Sequence, residues 1–224
     1  LYPLTKHAMY AANQRSREKF TEAYLTRLEA LPVKGKLVRY TPPAAPPSNP
    51  REVEALLKLS ALNPLQLPLP QGAERERLFA IFAPVWEIDV AHHRDDHIGR
   101  PLWPSTLDLP DVDPNEAVIY TKIAHTRFQG ETLLQLVYTA WFPARTQHQW
   151  LDIEAGRFSG VMWRVTLKNN GEVLLYDSAH SCACYHMFYP VAPELQLGKL
   201  PADPAEQVFQ PQRQTAFPQG NRLV

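Results

Sequence analysis

Two strand-like runs joined by a three-residue turn constrain this chain more than any other feature. Residues 117–128 and 132–142 are dense in β-branched and aromatic side chains and flank Gln129, Gly130 and Glu131. Such side chains lose rotamer freedom in a helix but pack well on a pleated sheet, and so short a connection can join only antiparallel neighbours. Asn169-Asn170-Gly171 marks a second hairpin between residues 161–168 and 172–177, because Asn-Gly supplies the positive φ angles of a tight turn. Further strands are expected over residues 78–90 and 180–189. The fold class is therefore α+β, mainly antiparallel β: a curved meander or barrel-like sheet of about six strands.

The first third of the chain reads differently. Over residues 13–31, Phe20, Tyr24, Leu25, Leu28 and Leu31 recur at helical spacing while Arg15, Arg17, Glu18, Lys19, Glu22 and Arg27 fill the other face, which predicts an amphipathic helix. A short strand is expected over 34–41. The Pro-rich stretch 41–50 should then run extended as a spacer. Asn49 offers an N-cap, Pro50 the first helical position and Glu52 a capping-box acid, so a second helix carries Val53, Leu56 and Leu57 up to Asn63-Pro64. These readings divide the chain into a helical arm and spacer (1–47), a helix and loop (48–74), an antiparallel core (75–190) and a Pro/Gln-rich tail (191–224).

Charge narrows the partners. Lys plus Arg number 23 and Asp plus Glu 23, leaving no cationic surplus for phosphate backbones, so a dedicated nucleic-acid protein is not expected. The longest nearly unbroken apolar run, 78–86, is about half of what a bilayer requires. No transmembrane segment is expected, and the reading is a soluble chain, cytoplasmic or periplasmic, whose start at Leu1 suggests processing.

Both cysteines sit in Cys182-Ala183-Cys184. Neighbours two apart bridge poorly, so a disulfide scaffold is not expected; the thiols are left for metal ligation, nucleophilic or redox chemistry, or core filling. His180, Cys182, Cys184 and His186 recur every second residue, and on an extended strand all four would share one face. An ideal strand would separate His180 from His186 by roughly 20 Å, so one ion could use only a subset unless the strand breaks.

A second cluster spans residues 87–97, where His92, His93 and His97 lie among Glu87, Asp89, Asp95 and Asp96. Imidazole and carboxylate together suit first-row divalent ions, and His93, Asp95 and His97 are the candidate ligands; the alternative is a solvated loop in which His and Arg balance the carboxylates. His93-Arg94-Asp95 resembles the His-x-Asp element of the non-haem iron oxygenases, a jelly-roll family. The resemblance covers three residues and implies a distal His with a following Arg, which only His148 and Arg157 would supply.

A thiol mechanism has its own candidates: Cys184 or Cys182 as nucleophile, His125 as base and Asp177 as orienting group. Asp177 should also meet Arg164 across the Asn-Gly hairpin as a structural pair. The five Trp, nine Tyr and nine Phe either fill a β core or line a cavity. Three functions follow. The first is a metal-dependent hydrolase or oxidoreductase acting on a small molecule or peptide, with the two donor-rich segments converging on one cleft at the end of the sheet and holding a divalent ion or copper. The second is a noncatalytic ligand-binding module with an aromatic cavity, and the third a cysteine-nucleophile hydrolase or transferase.

Overall fold

The computed structural model describes residues 32–44, 47–92, 94–104, 109–145, 156–182, 186–196 and 198. The expected helix over 13–31 and the tail beyond 198 lie outside them. In chain order the elements are β1 (Lys36–Tyr40), α1 (Pro50–Ser60), α2 (Gly72–Ile81), β2 (Trp86–Val90), β3 (Arg100–Leu102), β4 (Asp111–Asp113), β5 (Ile119–Phe128), β6 (Glu131–Arg145), β7 (Gly156–Leu167), β8 (Val173–His180) and β9 (Met187–Pro190).

Both hairpins form where the sequence puts them, although in the second only Gly171, and not Asn170, takes a positive φ. β5 and β6 meet through Gln129-Gly130, with φ of 49° and 86°, the two positive angles that match a tight turn to strand twist. Asn169-Asn170-Gly171 closes β7 onto β8, with Lys168 and Glu172 joined by a backbone hydrogen bond of 2.8 Å. α1 starts as its cap predicts: Asn49 Oδ1 accepts from the Glu52 amide at 3.0 Å.

β5 to β9 form a five-stranded antiparallel sheet in sequence order. Its edge strands do not pair with each other, so the sheet is open. β1–β2 and β3–β4 are separate two-stranded ribbons, and Gly99 tethers the second to β6, its amide donating to the Trp141 carbonyl at 2.9 Å.

Two expected strands differ. Residues 78–81 belong to α2, and the strand begins only at Trp86. A short apolar run has no periodicity to separate helix from strand; here the helix formers Ala73-Glu-Arg-Glu-Arg77 precede it and Pro84 follows, so the helix extends to Ile81 and stops before the proline. The expected strand over 180–189 is also divided. β8 ends at His180, the chain turns at Ser181–Cys182, and β9 returns antiparallel with Ser178 opposite Met187.

One face of the sheet carries the main core, while Leu133 and Val137 are buried on the other. Leu134, Leu136, Tyr138, Trp163, Val165 and Tyr176 pack with Val53 and Leu57 of α1, Leu78, Phe79 and Ile81 of α2, and Trp86. Tyr138 donates to the Phe79 carbonyl at 2.8 Å, and their rings meet edge to face. This is the face on which α1, α2 and β2 pack. The opposite face holds the alternate residues.

Candidate functional site

Paired residues in an antiparallel ladder project to the same side of the sheet. The ladder places Lys122, Val137, Arg164, Asp177 and Phe188 in one row, on the face away from the helices. Arg164 and Asp177 are thus direct cross-strand partners, as their positions about the Asn-Gly turn suggest. His186, one residue before β9, packs against Phe188 with ring centroids 4.0 Å apart and planes tilted by 35°, and joins the pair.

The three side chains converge on one atom. Asp177 Oδ1 accepts from Arg164 Nε at 2.6 Å, is reached by Arg164 Nη2, and lies 2.9 Å from His186 Nε2. The Asp177 side chain is 2% exposed, against 24% for Arg164 and 35% for His186. A buried carboxylate therefore sits beneath two partly exposed donors. Buried charge is tolerated only when paired and hydrogen-bonded, which Arg164 accomplishes. Arg164 Nη2 also lies 2.7 Å from His186 Nε2. That nitrogen can donate to Asp177 or accept from Arg164, but not both. In the tautomer that donates from Nε2 to Asp177, His186 keeps a lone pair on Nδ1; in the other, Nε2 accepts from the second Nη2–H of Arg164.

The proposed thiol-site residues are separated by the register. His125 pairs with Leu134, on the core face, and its Nε2 contacts the Pro68 carbonyl at 2.8 Å. Asp177 occupies the other face, so His186 rather than His125 is the imidazole it meets. His180 pairs with Val161, also on the core side, so the two histidines of the 180–186 segment belong to opposite faces. Cys182 is exposed. Cys184 lies outside the described residues, as do His93 and His148.

The acidic segment is stitched mainly to backbone and arginine. Asp89 accepts from the amides of Lys34 and Gly35, both at 2.8 Å, and Asp96 from those of Ala91 and His92 at 2.9 and 2.6 Å. Arg39 pairs with Glu87 and Arg94 with Asp111. His97 Nδ1 contacts the Tyr40 hydroxyl at 2.9 Å, and burial pushes the Tyr40 phenol above its usual pKa despite a hydrogen bond with the Ile98 backbone. Asp95 is half-buried. Among the described residues no group of three His, Cys, Asp or Glu side chains is placed to hold a metal ion.

The two segments nonetheless approach the same end of the sheet. Gly99 bonds to Trp141, Trp141 pairs with Gly160, and the Ser181 amide donates to the Gly160 carbonyl at 2.8 Å. Three inter-strand steps separate Gly99 from Ser181, roughly 14 Å. They are neighbours along a rim rather than members of one donor set. The aromatic residues Tyr138, Trp163, Tyr176 and Tyr189 are buried, and Trp163 stacks on Tyr176 at 5.4 Å, so these rings pack the core. Sequence reasoning missed the Asp177–His186 contact; its signal was the possibility that the chain reverses between His180 and His186.

No protein-family model, curated protein or solved structure matches this chain.

Proposed function

We propose that this chain is a metal-dependent enzyme whose centre lies in the β8–β9 connection, with Cys182, Cys184 and His186 Nδ1 as ligands. The observation that carries the reading is the 2.9 Å contact between His186 Nε2 and the buried Asp177 carboxylate. A ligating imidazole characteristically gives its other N–H to a carboxylate, which fixes the tautomer and raises the basicity of the ligating nitrogen. Asp177 is itself anchored by Arg164, so this outer support is preformed. Two thiolates and one imidazole suit zinc or reduced copper and leave a fourth position for water or a small-molecule or peptide substrate. An ion there would polarise that group for hydrolysis or redox chemistry near neutral pH.

His180 stands apart from this set, and the segment of Asp95 and His97 leads into the neighbouring rim at Gly99. Metal analysis of the full chain and of intact variants tests the assignment. About one ion per chain is expected, lost in Cys184→Ala and His186→Ala and retained in His93→Ala and His180→Ala. An absence of metal in the wild type, or its survival in both of the first two variants, overturns the reading.

The same lone pair supports a second reading, a cysteine nucleophile served by His186 and Asp177. It predicts a metal-free protein with one thiol alkylated rapidly at neutral pH, slowed when His186 is replaced by Ala. The packed aromatic rings favour both readings over a binding module with an aromatic cavity.

A further inference from the structure

We infer that Arg164 is the docking point for a small oxyanion, a carboxylate or phosphate group, on the sheet face beside His186. This deepens the metal reading by naming the charged end of the substrate, but the anion site itself stands on Arg164 and Asp177.

An arginine that serves only to neutralise a carboxylate commonly pairs its fork with both oxygens. Here Nε and Nη2 converge on one oxygen, Oδ1, which His186 shares, and Nη2 also lies 2.7 Å from His186 Nε2. Among the described residues Nη1 has no partner, and the side chain keeps 24% of its surface open. The buried Asp177 thus locks the guanidinium in one orientation while leaving N–H donors unspent. Preorganised in this way, an arginine loses little further conformational freedom when it takes up a planar or tetrahedral oxyanion.

The surroundings favour an anion over a cation. In the row Lys122–Val137–Arg164–Asp177–Phe188 the single carboxylate is Asp177, buried and already bonded to two donors. The exposed charge left in that row comes from Lys122, two strands from Arg164, and from the guanidinium. Phe188 and His186 supply a pair of packed rings at the same spot, against which the carbon part of a substrate can lie.

The test is a titration of the full-length protein with inorganic phosphate and, separately, with acetate, at matched ionic strength, followed through the amide resonances of β7 and β8. Saturable shifts are expected with at least one anion, and the stronger of the two identifies the class. Arg164→Lys should weaken binding at least ~10-fold, since an ammonium cannot reproduce the planar fork. Because removing Arg164 alone strands a buried carboxylate, the double variant Arg164→Gln/Asp177→Asn serves as the second test: it keeps an amide pair without buried charge and should abolish saturation. The titrations are repeated on chelator-treated protein. Binding that persists without metal and disappears in the double variant supports the anion site even where the metal reading fails. Binding that requires metal and survives both Arg164 substitutions, or no saturable shift with either anion, overturns it.

Discussion

Asp177 combines a side-chain exposure of 2% with three close contacts to one of its oxygens. Removing it by Asp177→Ala leaves the guanidinium of Arg164 without its counter-charge. A fully buried pair broken in this way costs ~3–5 kcal/mol, but Arg164 retains contact with water, so a loss of about 2 kcal/mol is expected. The double variant Arg164→Gln/Asp177→Asn should recover most of it, within about 1 kcal/mol of the wild type, because neither amide needs a counter-charge. Urea unfolding of the single and double variants measures both numbers. Equal losses in the two would show that packing, not charge, holds this part of the sheet.

The turns and caps carry information at the scale of elements. Gly171 has φ of +84°, and a Cβ there would lie 2.2 Å from the Pro50 carbonyl oxygen. The glycine therefore permits both the β7–β8 turn and the seating of the first turn of α1 against it. Gly171→Ala should cost ~1–2 kcal/mol from the left-handed backbone alone, plus whatever is lost as α1 shifts. Asn49→Ala removes the side chain that caps α1 and should cost about 1 kcal/mol. Thermal unfolding of both variants is the check; the glycine change should be the larger, since it also disturbs the contact between two elements. The ion pairs of Lys168 with Glu172 and Glu194 lie beside the same turn. The Lys168 hydrogen bond holds Glu172 below the usual carboxylate range, and Glu194 is held there first by a hydrogen bond from its own backbone amide and then by Lys168, but solvent exposure makes these pairs minor contributors to stability.

For the whole molecule, the shared core of α1, α2, β2 and the sheet makes stability depend on a buried phenol. Burial pushes Tyr138 well above its ordinary pKa of 10.0. The folded state therefore keeps a proton that the unfolded chain releases as pH rises past about 10. Stability attributable to this group is complete below that pH and declines above it, toward the folded pKa. Tyr138→Phe should flatten that alkaline limb, while costing about 1–2 kcal/mol at neutral pH by leaving the Phe79 carbonyl without its donor. Denaturant midpoints recorded from pH 7 to 11 separate the two effects; an unchanged alkaline slope would exclude Tyr138 as its source. Among the described residues no helix is long and apolar enough to cross a membrane.

The sequence by itself determined those features whose physics is local. The Asn-Gly turn, the Asn49 cap and the β-branched runs flanking Gln129-Gly130 need only a few neighbouring residues to state their geometry, and each stands where the pattern put it. The Arg164–Asp177 pair was legible for the same reason, being counted outward from a tight turn. Only the tertiary structure decided the rest. Leu78–Ile81 stands between the two: the run has no period of its own, but the helix formers at 73–77 and Pro84 favour helix locally, and Leu78, Phe79 and Ile81 then cover the core face of the sheet. His125 and Asp177 fall on opposite sides of the sheet because side chains alternate along a strand, and their relative parity depends on the registers of three successive pairings. The reversal after His180 is also non-local: β9 turns back because Tyr189 joins the core beside Trp163, with ring centroids 5.6 Å apart, and that contact brings His186 to Asp177 instead of carrying it away along an extended strand.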